Sequence, residues 1–131
     1  MIAFDSNILV RYFAKDDPVQ TALAVQLVDA RTSDDPGWIA IPVLVELLWV
    51  LARTYKLKQG EIIQILERFL NSDDIVVEHE ERVQIALDVY RRGHADFADC
   101  LIAISAAFAG CTQTFTFNEI AARDAGMELV S

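Results

Sequence analysis

The sequence contains few of the cysteine and histidine residues that stabilise small proteins through disulfides or structural metal ions. Its 131 residues include only two cysteines and two histidines. Cys100 and Cys111 lie beside apolar residues, at a spacing that fits neither a disulfide framework nor a paired zinc-ligand motif. His79 and His94 stand alone in polar turn regions. We therefore expect two buried free thiols and two surface histidines, without a disulfide or a zinc site.

Long apolar runs are also missing. No run approaches the roughly 20 residues that a membrane-spanning helix needs, and the start, Met1–Asp5, has neither the basic region nor the apolar segment of a signal peptide. The hydrophobic content of 53% and charged content of 24% are typical of a globular chain that buries one core. We expect a single domain over residues 1–131, in the cytoplasm and without a membrane partner.

Positive charge is scarce, with 11 Lys and Arg against 20 Asp and Glu and a formal net charge of −9. This balance excludes a nucleic-acid binder that relies on a broad basic patch. It does not exclude a nuclease, because divalent cations in an acidic pocket supply the positive charge that meets phosphate. An acidic chain also suits a basic protein partner.

Short β-prone runs alternate with helical patterns along the chain. This alternation predicts an α/β fold with a short, mainly parallel central sheet flanked by helices. In such sheets, sites form outside the carboxyl ends of the strands, where Asp5 and Asn118 lie. The strands are predicted at 2–4, 38–41, 75–77, 114–117 and 128–130, and the helices at 8–13, 18–31, 42–53, 62–70, 83–93, 96–109 and 118–125.

Glu46 is the only ionisable residue between Trp38 and Ala52. If its carboxylate is buried among these apolar neighbours, a metal or a basic group has to balance its charge, because an isolated buried carboxylate would otherwise be neutralised. The alternative is that Glu46 and Arg53, two turns apart, form a solvent-facing line on a helix whose other faces are buried. The sequence leaves both interpretations open.

Asp96 and Asp99 are the last charges before a helix with almost no polar surface. At a spacing of i and i+3 they share a face, where Asp96 can cap the helix and Asp99 can complement its dipole. Asp5 can likewise be a local turn-former. A metal shared with Glu46 explains all four acids together, since oxygen ligands select Mg²⁺ or Mn²⁺. Such an ion activates water and stabilises charge on a phosphodiester.

Four blocks of this sequence resemble the PIN domain, and more closely the VapC toxins of toxin–antitoxin pairs. The blocks are Ile2–Asn7, Pro42–Glu46, Ala95–Ala103 and Thr114–Asn118. The resemblance implies a PIN-like three-layer α/β domain and a metal-dependent endoribonuclease that uses Mg²⁺ or Mn²⁺. It also implies an RNA substrate, a cognate antitoxin, and a homodimer that assembles further with that antitoxin.

The same resemblance assigns roles to individual residues. Asp5, Glu46 and Asp99 correspond to the catalytic acids that bind the metal, and Asp96 corresponds to an accessory catalytic acid. The supporting polar positions are Asn7, Thr116 and Asn118. Where the family often has Asp, Asn118 brings a neutral oxygen and no charge, which weakens the expectation of a second tightly held metal.

Two other functions are consistent with parts of the sequence. A catalytically weak PIN-like module that only binds antitoxin or RNA is favoured by Asn118. A phosphotransfer domain would also place an acid after the first strand, but Asp5-Ser6-Asn7 lacks the second aspartate of one such class, and no lysine follows a late strand as in another. No glycine-rich phosphate loop or Gly-x-Ser-x-Gly motif is present.

Overall fold

The computed structural model describes residues 1–131, and its seven helices and five short strands alternate along the chain. The chain divides into two compact units, Met1–Glu78 and His79–Ser131. The first unit contains β1 (Ile2–Ala3), α1 (Ser6–Ala14), α2 (Pro18–Asp29), β2 (Gly37–Ile39), α3 (Ile41–Arg53), α4 (Gln59–Asn71) and β3 (Ile75–Val77). The second contains α5 (Glu80–Arg91), α6 (Phe97–Phe108), β4 (Phe115–Thr116), α7 (Glu119–Asp124) and β5 (Glu128–Leu129).

The predicted α/β class is confirmed, with strand ends that differ by a residue or two. In the first unit the three strands pair in the order β1-β2-β3, all parallel, with Trp38 opposite Ala3 on one side and Val76 on the other. Parallel neighbours need crossover connections. Helices α1 and α2 make the first crossover and α3 and α4 the second, so the carboxyl ends of the strands lie at one edge of the sheet.

Aliphatic side chains from the sheet and all four helices fill the core of the first unit. Full burial of a Leu or Ile side chain stabilises the fold by about 1.5–3 kcal/mol relative to leaving it exposed. The apolar residues on α3 recur at helical spacing, which buries one face of that helix and leaves the other towards solvent. The most deeply buried large side chains in this unit are Leu9, Ile39, Leu44, Leu47, Leu51, Ile62 and Leu66.

The second unit is built on the packing of α5 against α6. Tyr90 and Phe97 meet edge to face, with their ring centroids 5.9 Å apart, and Cys100 is buried beside them. Strands β4 and β5 pair in parallel, joined by α7. Past Leu101, the residues of α6 are half-buried or exposed, including Ile102.

The two cysteines have no disulfide, as expected, but only Cys100 is buried. The prediction that Cys111 is buried is wrong, because this residue lies beyond the end of α6, where the chain turns at the surface. His79 and His94 are both exposed, which confirms the prediction of surface histidines. None of the helices has both the length and the apolar character needed to cross a bilayer.

Replacement of Gly37 should destabilise the protein, because the Phe4 ring lies directly over this position of β2. An added Cβ would overlap Cε2 of Phe4 and lie 3.3 Å from Cδ1 of Ile75. We expect Gly37→Ala to lower the free energy of unfolding by about 1–3 kcal/mol, the usual cost of overpacking a core. Urea unfolding followed by circular dichroism measures this change.

Gly60→Ala is the matched control, since no atom lies within 4 Å of a Cβ built at Gly60 in α4. Alanine is the better helix former, so this variant should equal the wild type or exceed its stability by up to about 1 kcal/mol. If Gly37→Ala were as stable as Gly60→Ala, the Phe4 ring would not limit the size of the residue at position 37.

Candidate active site

Asp5 follows β1 and is the N-cap residue of α1. Its backbone is extended, and its Oδ1 accepts a hydrogen bond of 2.8 Å from the Ser6 N–H. The partial positive charge at a helix N-terminus favours a carboxylate at this position. The side chain is exposed, so the local turn-forming role and access to solvent coexist in the same residue.

Ser6 joins Asp5 to Glu46. Its Oγ donates a hydrogen bond of 2.7 Å to Glu46 Oε1 and lies 3.5 Å from Asp5 Oδ1. The residue is 4% exposed and is the one buried polar residue of the chain. A buried hydroxyl needs a partner, so this bond fixes Glu46 of α3 beside the N-terminus of α1. Sequence reasoning missed this role, for which the available signal was a small hydroxyl residue directly after Asp5.

Glu46 itself is exposed. Of the two interpretations of this residue, the solvent-facing line with Arg53 is correct, and the expectation of a buried carboxylate is wrong. Leu44 and Leu47 turn to the opposite side of α3 and fill the core. An exposed carboxylate keeps its hydration, so the fold does not require a counterion here.

Asn7 is also exposed and borders a groove between α1 and α2. The groove has a volume of about 400 Å³ and is lined by Asn7, Ile8, Arg11, Gln20, Leu23, Ala24 and Leu27. Arg11 is held on its rim by bonds of 2.8 Å to Asp16 and 2.9 Å to Gln20. The predicted supporting residue Asn7 therefore links the Asp5 region to an apolar surface, which we call the α1–α2 groove.

In the second unit, Asp96 is the N-cap of α6. Its Oδ1 accepts a hydrogen bond of 2.8 Å from the Asp99 N–H, so the predicted capping role of Asp96 is confirmed. Asp99 is half-buried. Burial, followed by the nearby charge of Asp96, raises the pKa of the Asp99 carboxyl above its ordinary value of 3.8. The two acids thus form a pair in which ionisation of Asp99 is disfavoured.

The turn that leads into Asp96 is held by Asp124, a residue that no sequence pattern singled out. Asp124 Oδ2 accepts a hydrogen bond of 2.8 Å from the His94 N–H. Bonds from Arg123 and then from His94 lower the pKa of Asp124 to about 2. A Cβ at Gly93 would lie 2.8 Å from Cβ of Asp124, so glycine permits this close approach.

Thr116 and Asn118 form a local turn at the end of β4. Thr116 Oγ1 accepts a hydrogen bond of 3.0 Å from the Asn118 N–H. Asn118 Oδ1 in turn accepts one of 3.0 Å from the Ala121 N–H, and so caps α7. The neutral oxygen that Asn118 offers is therefore already engaged by the backbone.

The predicted acids form two pairs, Asp5 with Glu46 in the first unit and Asp96 with Asp99 in the second. The structure contains no cluster of three or more His, Cys, Asp or Glu side chains placed to hold a metal ion. The donors in each pair are all oxygens, and Ser6 adds a hydroxyl to the first. This donor chemistry fits Mg²⁺ or Mn²⁺ and does not fit softer metals.

Comparison with known proteins gives two matches. Residues 2–126 match the family model described as PIN domain. The chain is also similar to the VapC ribonuclease of Aquifex aeolicus (strain VF5), with 20% identity over 118 residues, which is 90% of this chain and 87% of that protein. The segment that matches the family model contains both acid pairs and the supporting residues.

Asp99→Asn should stabilise the metal-free protein at neutral pH. Because folding raises the pKa of this carboxyl above 3.8, the ionised form lowers stability at every pH above the folded-state value. The penalty fades as the pH falls through that value and is gone below 3.8, where both states bind the proton. Thermal unfolding in EDTA should give a melting temperature about 2–5 °C higher than wild type at pH 7.

The difference in melting temperature between Asp99→Asn and the wild type should become smaller as the pH falls from 7 towards 4. Asp34→Asn, in an exposed turn, is the matched control and should leave the melting temperature unchanged at both pH values. A lower melting temperature for Asp99→Asn at pH 7 would mean that helix-dipole stabilisation of the charge outweighs its burial and its repulsion from Asp96.

Proposed function

Because this chain belongs to the PIN domain family, we propose that it is a metal-dependent endoribonuclease and the toxin of a toxin–antitoxin pair. The observation that carries the proposal is the pair formed by Asp5 and Glu46. The buried Ser6, next to Asp5 in the chain, holds Glu46 in place by a hydrogen bond of 2.7 Å from its Oγ to Glu46 Oε1. The name of the similar Aquifex protein, VapC ribonuclease, supports the same activity. The family match favours this function over a phosphotransfer domain.

We assign Asp5, Glu46 and Asp99 to the binding of Mg²⁺ or Mn²⁺, and Asp96 to an accessory catalytic role. When bound, the ion supplies positive charge to the phosphodiester and lowers the pKa of the attacking water. Ser6 orients Glu46 by its hydrogen bond, in the way that outer-shell groups orient metal ligands. Ionisation of Asp99 is disfavoured without a cation, so metal binding would relieve the repulsion within its pair.

Asn118 is the best argument for the alternative, a catalytically weak module that binds antitoxin or RNA. It brings no charge, and its Oδ1 is engaged in capping α7 at 3.0 Å. We favour an active nuclease in which one ion is held firmly by the acids. Tight RNA binding without cleavage under every divalent cation would favour the binding module.

The partners we propose are RNA, a cognate antitoxin and a second copy of the chain, all in the cytoplasm. Apolar side chains on α2 are left in solvent, with Val19 71% and Leu23 62% exposed. Exposed apolar surface of this kind marks protein interfaces. The net charge of −9 suits an antitoxin with a basic segment, since complementary charge favours association.

Removal of any one of the metal-binding carboxylates should abolish cleavage. We expect Asp5→Asn, Glu46→Gln and Asp99→Asn each to lose at least about 100-fold in rate, because one negatively charged ligand is replaced by a neutral one. Ser6→Ala should lose about 10–100-fold, the usual effect of an outer-shell group. The assay is cleavage of a defined set of tRNA, rRNA and mRNA with Mg²⁺, Mn²⁺ or EDTA.

Asp34→Asn is the control and should cleave like the wild type. Asn is as good an N-cap as Asp, so Asp5→Asn should keep its helix start, and circular dichroism checks the fold of every variant. Full activity in both Asp5→Asn and Asp99→Asn, with unchanged metal affinity, would remove the site assignment.

The antitoxin and Mg²⁺ should compete. We expect an Arg or Lys of the basic segment to reach the acids and occupy the place of the metal, because a guanidinium is a good partner for paired carboxylates. Raising Mg²⁺ should therefore weaken inhibition by the cognate antitoxin in the cleavage assay. Inhibition that is independent of Mg²⁺, with unchanged antitoxin binding by Asp99→Asn, would place the inhibitory contact elsewhere.

A further inference from the structure

One face of α3 carries an exposed aromatic side chain next to a candidate catalytic acid. Pro42, Glu46, Trp49 and Arg53 are all exposed and follow one another at intervals of three or four residues. Residues at this spacing lie on the same face of a helix, with Cβ atoms about 5–6 Å apart. Trp49 is 56% exposed, although the opposite face of the same helix is fully buried.

Arg53 fixes the environment of this tryptophan. Its guanidinium carbon lies 5.8 Å from the centroid of the Trp49 ring, within the range of a cation–π contact. The partner of the Arg53 charge is thus an aromatic ring rather than a carboxylate. The contact limits the freedom of both side chains and leaves much of the ring open to solvent.

The segment that follows Glu46 carries a net positive charge, although the whole chain is acidic. The fourteen residues Leu47–Gly60 contain three of the 11 basic residues, Arg53, Lys56 and Lys58, and none of the 20 acids. Lys56 and Lys58 are exposed on the loop that follows α3. Asp16 accepts a hydrogen bond of 2.5 Å from the Tyr55 hydroxyl in this segment, but it is paired with Arg11 at 2.8 Å.

An exposed aromatic ring with nearby cations is the combination that binds single-stranded nucleic acid, because bases stack on the ring and phosphates meet the cations. We propose that Trp49 and Arg53 form a stacking platform for an unpaired nucleobase of the RNA, with Lys56 and Lys58 contacting its backbone phosphates. The inference rests on the proposed nuclease function. It places the bound base one helical turn from Glu46.

A protein partner is the other candidate occupant of this face, since Trp and Arg are also common in protein interfaces. The side chains around Trp49 favour RNA. The flanking Val45 and Val50 are half-buried, so the surface is a single ring with a cation and not a wide apolar patch. The positive charge continues along the chain towards Lys58, as an RNA backbone requires.

The test is binding of a fluorescein-labelled single-stranded oligouridylate, measured by anisotropy in EDTA so that cleavage does not interfere. Trp49→Ala should weaken binding by about 5- to 150-fold, the range given by loss of one stacked base. Trp49→Phe keeps an aromatic ring, so the logarithm of its fold-loss in affinity should be less than half of that for Trp49→Ala. Lys56→Ala removes one proposed phosphate contact and should reduce the magnitude of the slope of log affinity against log salt by about 0.7.

Tryptophan fluorescence gives an independent readout with unlabelled oligouridylate. The chain has two tryptophans, and Trp38 is half-buried in β2. Stacking should quench the exposed Trp49, so quenching should disappear in Trp49→Phe while binding persists. Arg92→Ala, which removes an exposed cation in the second unit, is the matched control and should bind like the wild type.

The outcomes separate this inference from the proposed function. RNA binding that depends on Trp49, without any cleavage under Mg²⁺ or Mn²⁺, would support the platform and overturn the nuclease. Cleavage by the wild type with unchanged affinity and quenching in Trp49→Ala would overturn the platform alone. A shift of Trp49→Ala from dimer to monomer in sedimentation, with unchanged RNA affinity, would assign this face to a second copy and also overturn the platform.

Discussion

The hydrogen bond from the buried Ser6 hydroxyl to Glu46, 2.7 Å long, is the contact on which the candidate site of the first unit depends. It joins the N-terminus of α1 to the middle of α3, and it brings an acid from each element to the same place. Two carboxylates repel each other, so the packing of the surrounding fold has to outweigh this repulsion to keep them close. Burial of Ser6 supplies that constraint, since an enclosed hydroxyl without an acceptor would destabilise the fold.

Helix capping connects the fold to the proposed chemistry. Four of the seven helices begin at an Asp or Asn whose side chain accepts a backbone N–H, namely Asp5, Asp17, Asp96 and Asn118. Three of these, Asp5, Asp96 and Asn118, belong to the predicted site, and Asp5 both starts a helix and is one of the proposed metal ligands. Capping needs an oxygen, whereas metal binding needs negative charge as well. An Asp-to-Asn change therefore separates the structural role from the chemical one.

The order of the elements and the capping role of Asp96 were predictable from the sequence, because both depend on local patterns. Hydrophobic spacing sets the type of each element, and an acid at a helix start needs only its nearest neighbours to act as a cap. Exposure was less predictable. Glu46 stands in an apolar stretch and still faces solvent, because the leucines of α3 take the core side. Cys111 is exposed because it lies past a helix end.

By itself, the sequence determined an α/β chain, a net charge of −9 and a family pattern that includes the four acids Asp5, Glu46, Asp96 and Asp99. Only the tertiary structure decided which side chains meet. It selected Ser6 as the link between Asp5 and Glu46, and Asp124 as the support of the turn before Asp96, because both contacts join residues far apart in the chain. It also left Trp49 in solvent beside Arg53. Residue spacing identifies a helix face, but the packing of neighbouring elements determines whether that face is covered.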